Sequence, residues 1–218
     1  MKREDFDRAL EILRAEYPKW DAPAKHDRYG YRRTPFTIAV SVVLSFRTKD
    51  EVTQAAGERL FALADTPETM VNVPVERIEE AIYPVGFYRK KARAIHDIAA
   101  TLQERFGGRV PGSEEALLNI KGIGPKAAAI ILERAFGQNV VAVDVHVHRI
   151  LNRWGFLRTA TPEESYEALK TLLDDEEKRG LNRLLVAFGQ VVCKPLRPDC
   201  GRCPVASLCE SAAPERPA

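Results

Sequence analysis

Apolar residues recur along this chain at helical spacing. Phe6, Leu10, Leu13 and Tyr17 share one helical face. From Pro18 to Arg33 the spacing is lost among Pro, Gly and charged residues, and the segment reads as irregular. Pro35 opens an apolar run, Phe36 to Leu44, that periodicity alone fits to a buried helix or a strand; its helical neighbours favour helix. Thr48 and Glu51 have the spacing of a capping box, and Val52, Ala55, Ala56 and Leu60 follow on one face. Pro74 predicts a short helix through Ile78 and Ile82. Ala92, Ile95, Ala99, Leu102 and Phe106 predict a long amphipathic one. Thr161, Pro162 and Glu164 mark another helix start, and Leu181 to Val192 reads as a further apolar helix. Only Val140 to Val143 has β-like composition, so the pattern predicts an all-α fold. The acidic run Asp174 to Glu177 reads as a solvated helix face, and the tail after Cys209 as frayed.

Composition narrows the class. The 218 residues are 45% hydrophobic and 29% charged, which fits a globular chain and excludes a disordered one. The 13 Gly and 14 Pro show no short period, which excludes fibrous classes. A net charge of +2 neither proves nor excludes a nucleic-acid partner, because a local basic patch also serves. No apolar run approaches the roughly 18 to 20 residues that span a bilayer, and no secretory pattern opens the chain. The expectation is therefore a cytoplasmic protein with no membrane partner. In that reducing compartment, four cysteines between positions 193 and 209 suggest a metal centre before they suggest disulfides. Cys193, Cys200, Cys203 and Cys209 suit either zinc or a [4Fe–4S] centre, and their spacing does not choose. Lys194 and Arg197 lie between the first two, where a rigid loop would hold cations toward a phosphate backbone.

The most informative stretch is Leu117 to Leu132, LLNIKGIGPKAAAIIL. Two apolar helical segments flank Lys121, Gly122, Ile123 and Gly124. The two glycines allow a tight turn with positive φ, and Ile123 can plug back between the helices. Backbone N–H groups left open there sit at a helix start, where the dipole favours an anion such as a DNA phosphate. The plain alternative is a glycine turn between packed helices. Pro125 suits the first helical position, and Lys126 follows it. A helix N-terminus disfavours an ammonium group, and a neutral amine attacks electrophilic carbon. The alternative for Lys126 is a solvated phosphate contact. Eighteen residues on, in Val-Ala-Val-Asp-Val-His, Asp144 can cap a helix. It can equally be a carboxylate that stabilises charge developing at an anomeric carbon while an amine attacks it.

These residues together resemble the endonuclease III family, base-excision DNA glycosylases with an associated lyase activity. The resemblance runs from about Thr34 to Cys209 and rests on GIGPKAA at 122–128, AVDVH at 142–146 and the four cysteines. It implies two helical lobes with DNA in the groove between them. One is a six-helix domain over 28–138 that contains the helix-hairpin-helix. The other joins 1–27 to 139–218 and carries a [4Fe–4S] cluster on Cys193, Cys200, Cys203 and Cys209. Position by position, Lys126 becomes the nucleophile and Asp144 the catalytic carboxylate. Lys121, Gly122 and Gly124 fall in the hairpin that grips phosphate. The implied partner is double-stranded DNA with a damaged base, foremost an oxidised pyrimidine, or an abasic site, bound by a monomer.

Two positions depart from the family pattern. Arg47 stands where bacterial members often place Gln in the loop that fills the hole left by the flipped base. Phe87 stands at a second wedge position that is often Leu. An arginine can hydrogen-bond an orphan base and still stack, and an aromatic ring can insert between bases. For Phe87 the alternative is a core position in the next helix, and the neighbouring run Arg89, Lys90, Lys91 and Arg93 reads as a basic helix face. His146 either orients Asp144, touches phosphate or is structural. Two rival functions remain: a monofunctional mismatch glycosylase, whose members lack the lysine, and a non-catalytic helix-hairpin-helix DNA binder.

Overall fold

The computed structural model describes residues 1–25 and 31–212. The expected domain boundary at residues 27 and 28, and the chain beyond 212, lie outside them. The chain forms two compact units, Met1–Asp27 with Asn139–Ala218, and Arg28–Gln138. Among the described residues there are twelve α-helices and no strand. They are α1 (Arg3–Glu16), α2 (Pro35–Ser45), α3 (Asp50–Leu63), α4 (Pro67–Met70), α5 (Val75–Ile82) and α6 (Tyr88–Phe106). Then come α7 (Glu114–Leu118), α8 (Pro125–Phe136), α9 (Val145–Trp154), α10 (Pro162–Leu172), α11 (Asp175–Lys178) and α12 (Leu181–Val191). The expected all-α class is borne out, and Val140 to Val143 has no regular secondary structure. No described helix is long and apolar enough to cross a membrane.

In the unit formed by Arg28–Gln138, α2 is apolar on nearly every side, with Phe36 to Val40 and Val42 to Leu44 buried. Burial all round a helix requires neighbours on several faces, and α3, α6 and α8 supply them. Its start is fixed by a capping box: the Thr34 hydroxyl accepts the Thr37 N–H at 3.2 Å, and the Thr34 N–H donates to Thr37 Oγ1 at 2.8 Å. The α6 face read from the sequence is buried at Ala92, Ile95, Ala99 and Leu102. Gly107, left-handed at φ +58°, ends that helix.

The box expected at Thr48 and Glu51 does not form. Helix α3 starts at Asp50 after Lys49, which makes no side-chain cap. The Thr48 hydroxyl is drawn away by a partner distant in sequence, the N–H of Gly86 at 3.2 Å.

In the other unit, Phe6, Leu10 and Leu13 of α1 form one core with Val147, Ile150, Leu151 and Trp154 of α9 and Leu185 and Phe188 of α12. Phe6 stacks on Phe156 at 3.9 Å between ring centres and meets Trp154 edge-on at 6.4 Å. The segment after α1, read as irregular, holds two short 3-10 turns at Tyr17–Lys19 and Pro23–Lys25. The acidic run is not solvated throughout. Asp174 caps α11 by accepting the Glu177 N–H at 2.9 Å, and Glu177 is buried in an ion pair with Arg3. Burial pushes the Glu177 carboxyl up from its ordinary range.

Candidate functional site

The hairpin between α7 and α8 is built as a plug and an opening. Leu117, Ile120 and Ile123 are buried, so the turn is anchored from inside. Only Gly122 takes a positive φ, +98°, where a side chain is strained. Gly124 is extended, with φ −94° and ψ 177°, so the positive φ that the turn was expected to use falls on Gly122 alone. A Cβ at Gly124 would meet nothing within 4 Å, so its role is to leave the backbone at the start of α8 approachable. Lys121 is exposed on the turn. Lys126, in the first turn of α8, is half-buried with its Nζ 5.3 Å from the centre of the Phe46 ring.

Phe46 belongs to the α2–α3 loop, and that loop gathers the unit's other candidates. Arg47 is exposed and left-handed, at φ +54°, and its guanidinium carbon lies 5.0 Å from the centre of the Phe87 ring. Phe87 is also left-handed, at φ +58°, and is 55% exposed, so it is not a core residue of α6. Two non-glycine residues in this region, on segments 40 positions apart, are held by tertiary contacts. Lys91 is the strongest of them. It is buried at 8% exposure, which removes it from the basic face read for Arg89, Lys90 and Arg93. Its Nζ donates to Leu44 O at 2.8 Å, to Phe46 O at 2.6 Å and to Thr48 Oγ1 at 3.1 Å. Burial lowers its pKa from 10.5 to about 8. Gly86 closes the contact: a Cβ there would come 2.6 Å from Arg47 O.

Sequence reasoning missed Phe46, Thr48, Gly86 and Lys91 as parts of this cluster. Lys91 carried a signal, since it sits four residues before Ile95 on the apolar face of α6.

Asp144 and the cysteines lie in the unit that contains α9. Asp144 is the N-cap of α9, and its Oδ1 accepts from the His146 N–H at 2.9 Å and the Val147 N–H at 3.0 Å. His146 thus orients Asp144 through its backbone, while its Nδ1 lies 3.2 Å from Arg149 Nη2. Gly189 gives that imidazole room, since a Cβ there would come within 2.4 Å of it. Two arginines of α9 brace the first cysteine. Arg149 donates to Cys193 O at 2.8 Å, and Arg153 donates to Cys193 Sγ at 3.4 Å and to Lys194 O at 2.8 Å. Lys194 and Arg197 are exposed on the loop that follows.

All four cysteines are free thiols lining one cavity, partly open to solvent, together with Trp154 and Phe188. Burial pushes the Cys203 thiol up to about 11, and Cys193, Cys209 and Cys200 push it further in the same direction. Among the described residues, no three His, Cys, Asp or Glu side chains form a group that could hold a single metal ion.

A model of the HhH-GPD superfamily of base excision DNA repair proteins matches residues 40–175. Endonuclease III of Thermotoga maritima is 44% identical over 176 residues, which cover 81% of this chain and 83% of that protein. Endonuclease III homolog 2, chloroplastic, of Arabidopsis thaliana is 38% identical over 98% of this chain, which spans 60% of that longer protein. A solved structure of a trapped endonuclease III–DNA covalent intermediate, an estranged-adenine complex, superposes with a TM-score of 0.87. It is 31% identical, and the match covers 97% of both chains. The helical fold and the matched region define a helix-hairpin-helix protein of base excision repair. Within that class the chain belongs to the endonuclease III family.

Proposed function

We propose that this protein is a bifunctional DNA glycosylase and abasic-site lyase that removes damaged bases, foremost oxidised pyrimidines, from double-stranded DNA. One observation carries the reading. Lys126, directly after an anchored and open glycine hairpin, packs against the loop whose Arg47 faces the exposed ring of Phe87. A nucleophile and two residues able to fill a gap in a base stack thus share one cluster. The relative trapped in a covalent intermediate with DNA supports a protein nucleophile.

The chemistry follows from these groups. The damaged nucleotide leaves the stack, which costs a few kcal/mol that an inserted side chain offsets. Arg47 and Phe87 are the residues for that insertion. Gly122, Gly124 and Lys121 hold phosphate at the start of α8. Lys194 and Arg197 add phosphate contacts from the cysteine loop, and His146 adds one from the first turn of α9. Lys126 Nζ forms a bond to C1′ of the sugar, and the glycosidic bond breaks with its electron pair leaving on the base. Asp144 stabilises the positive charge that develops at C1′. The C1′–O4′ bond then breaks, O4′ takes up the proton lost from the nitrogen, and a Schiff base joins C1′ to Nζ. Loss of a C2′ proton then expels the 3′ phosphate by β-elimination and nicks the strand.

The four thiols fit a [4Fe–4S] cluster. All four line one cavity, and four cysteine thiolates are the donor set such a cluster takes; the family resemblance favours it over zinc. Four thiolates gathered around one cavity repel one another unless a cationic core lies among them. Such a cluster would supply a rigid covalent support for the loop that bears Lys194 and Arg197.

The test is borohydride trapping on a duplex containing thymine glycol, with Lys126→Ala alongside. A covalent protein–DNA adduct with the unaltered protein only is the expected result. An adduct on an abasic site but none on thymine glycol overturns the substrate class. No adduct on either overturns the lysine mechanism.

A further inference from the structure

Arg47 and Phe87 lie on different segments, and neither is buried. Their side chains face each other only if the α2–α3 loop and the turn before α6 keep a fixed separation. The backbones themselves touch, through Thr48 Oγ1 and the Gly86 N–H at 3.2 Å. One side chain spans the joint. Lys91, one turn into α6, reaches back to Leu44 O and Phe46 O on either side of Ser45, and to the same Thr48 hydroxyl. Leu44 lies in the last turn of α2, where carbonyls lack helical partners and an ammonium group is favoured.

A buried lysine is costly, and nothing in the packing of α6 requires one. Methionine would fill the same space on the apolar face that Ile95 and Ile98 continue. What the amine supplies is three hydrogen bonds that fix the path of the backbone into and out of Arg47. We propose that Lys91 is a positioning residue that sets Arg47 against Phe87 so that the pair enters the DNA stack as one unit. This rests on the wedge role proposed above. An error of about 1 Å in such a pair can cost on the order of 100-fold in rate, because the geometry must be ready before the base leaves.

The experiment is a double-mutant cycle on the full-length protein: Lys91→Met, Arg47→Ala and the combination. The readouts are single-turnover excision of thymine glycol from duplex DNA and the Kd for the same duplex. Lys91→Met is expected to slow excision about tenfold or more with Kd changed less than about threefold. In the Arg47→Ala background the same substitution is expected to cost less than about threefold, since the residue it positions is already gone. Equal losses in both backgrounds overturn the proposal, because a general loosening of the fold would not depend on Arg47. No loss in the single variant also overturns it. Arg47→Ala at the full rate refutes the wedge role itself, and the positioning role with it. Slow Arg47→Ala with equal Lys91→Met losses refutes positioning alone. If Lys91→Met does not fold, Thr48→Val removes the shared hydroxyl from the other side of the joint, and the same cycle with Arg47→Ala decides by the same criteria.

Discussion

The proposed mechanism gives Asp144 a second role beside its observed helix cap, and the geometry allows the two to be separated. As a cap, its Oδ1 accepts two backbone N–H groups of α9, from His146 at 2.9 Å and Val147 at 3.0 Å. Asparagine retains an acceptor oxygen and caps about as well as aspartate. Asp144→Asn loses only the interaction of a negative charge with the helix N-terminus, about 0.3–1 kcal/mol. Asp144→Ala leaves both N–H groups without that acceptor and should cost about 0.5–2 kcal/mol. Neither loss should unfold α9, whose Val147, Ile150, Leu151 and Trp154 remain buried in the core. Chemistry orders the variants differently. If the charge stabilises the cation developing at C1′, both substitutions remove it. Both should then slow excision by about 10²–10³-fold. Urea unfolding gives the first ordering, and single-turnover excision of thymine glycol the second. The reasoning fails if Asp144→Asn excises within about threefold of the unaltered protein. Asp144 would then be a cap and nothing more.

The two hairpin glycines should part company. Gly122→Ala forces a side chain to φ +98° and should cost about 1–2 kcal/mol in urea unfolding, since its Cβ otherwise meets ordinary contacts at 3.6 Å and beyond. Gly124→Ala should leave stability within about 0.5 kcal/mol yet weaken duplex affinity measurably, by screening the backbone at the start of α8; unchanged affinity would remove Gly124 from the phosphate site. Lys91 should write its burial into the pH dependence of stability. Its pKa falls from 10.5 to about 8 on folding, so between those values the unfolded chain binds the extra proton and stability rises with pH. Relative to Lys91→Met, the unaltered protein should gain up to about 2 kcal/mol between pH 7.5 and pH 9.5, and a flat difference would mean that the carbonyls around Nζ keep it charged.

The helices were legible because their signal is local. The α1 and α6 faces follow from residues three and four apart, and the buried run of α2 from its composition and neighbours. Lys126 behind the glycine hairpin, Asp144 before α9 and the spacing of the four cysteines are also short-range patterns. The sequence alone therefore determined the all-α class, the family and the candidate groups for attack, charge stabilisation and metal binding.

Only the tertiary structure decided what Thr48, Lys91 and Glu177 do. Thr48 has the spacing of a helix cap, yet its hydroxyl meets the N–H of Gly86, 38 residues away. Lys91 stands in a basic run, yet its ammonium turns inward to carbonyls 47 and 45 residues away. Glu177 ends an acidic run, yet it is buried against Arg3 at the far end of the chain. In the first two cases the partner is a backbone group, which every residue carries and no sequence pattern marks. A distant N–H or carbonyl becomes a specific partner only when packing of apolar faces brings it within about 3 Å and excludes the water that would otherwise satisfy it.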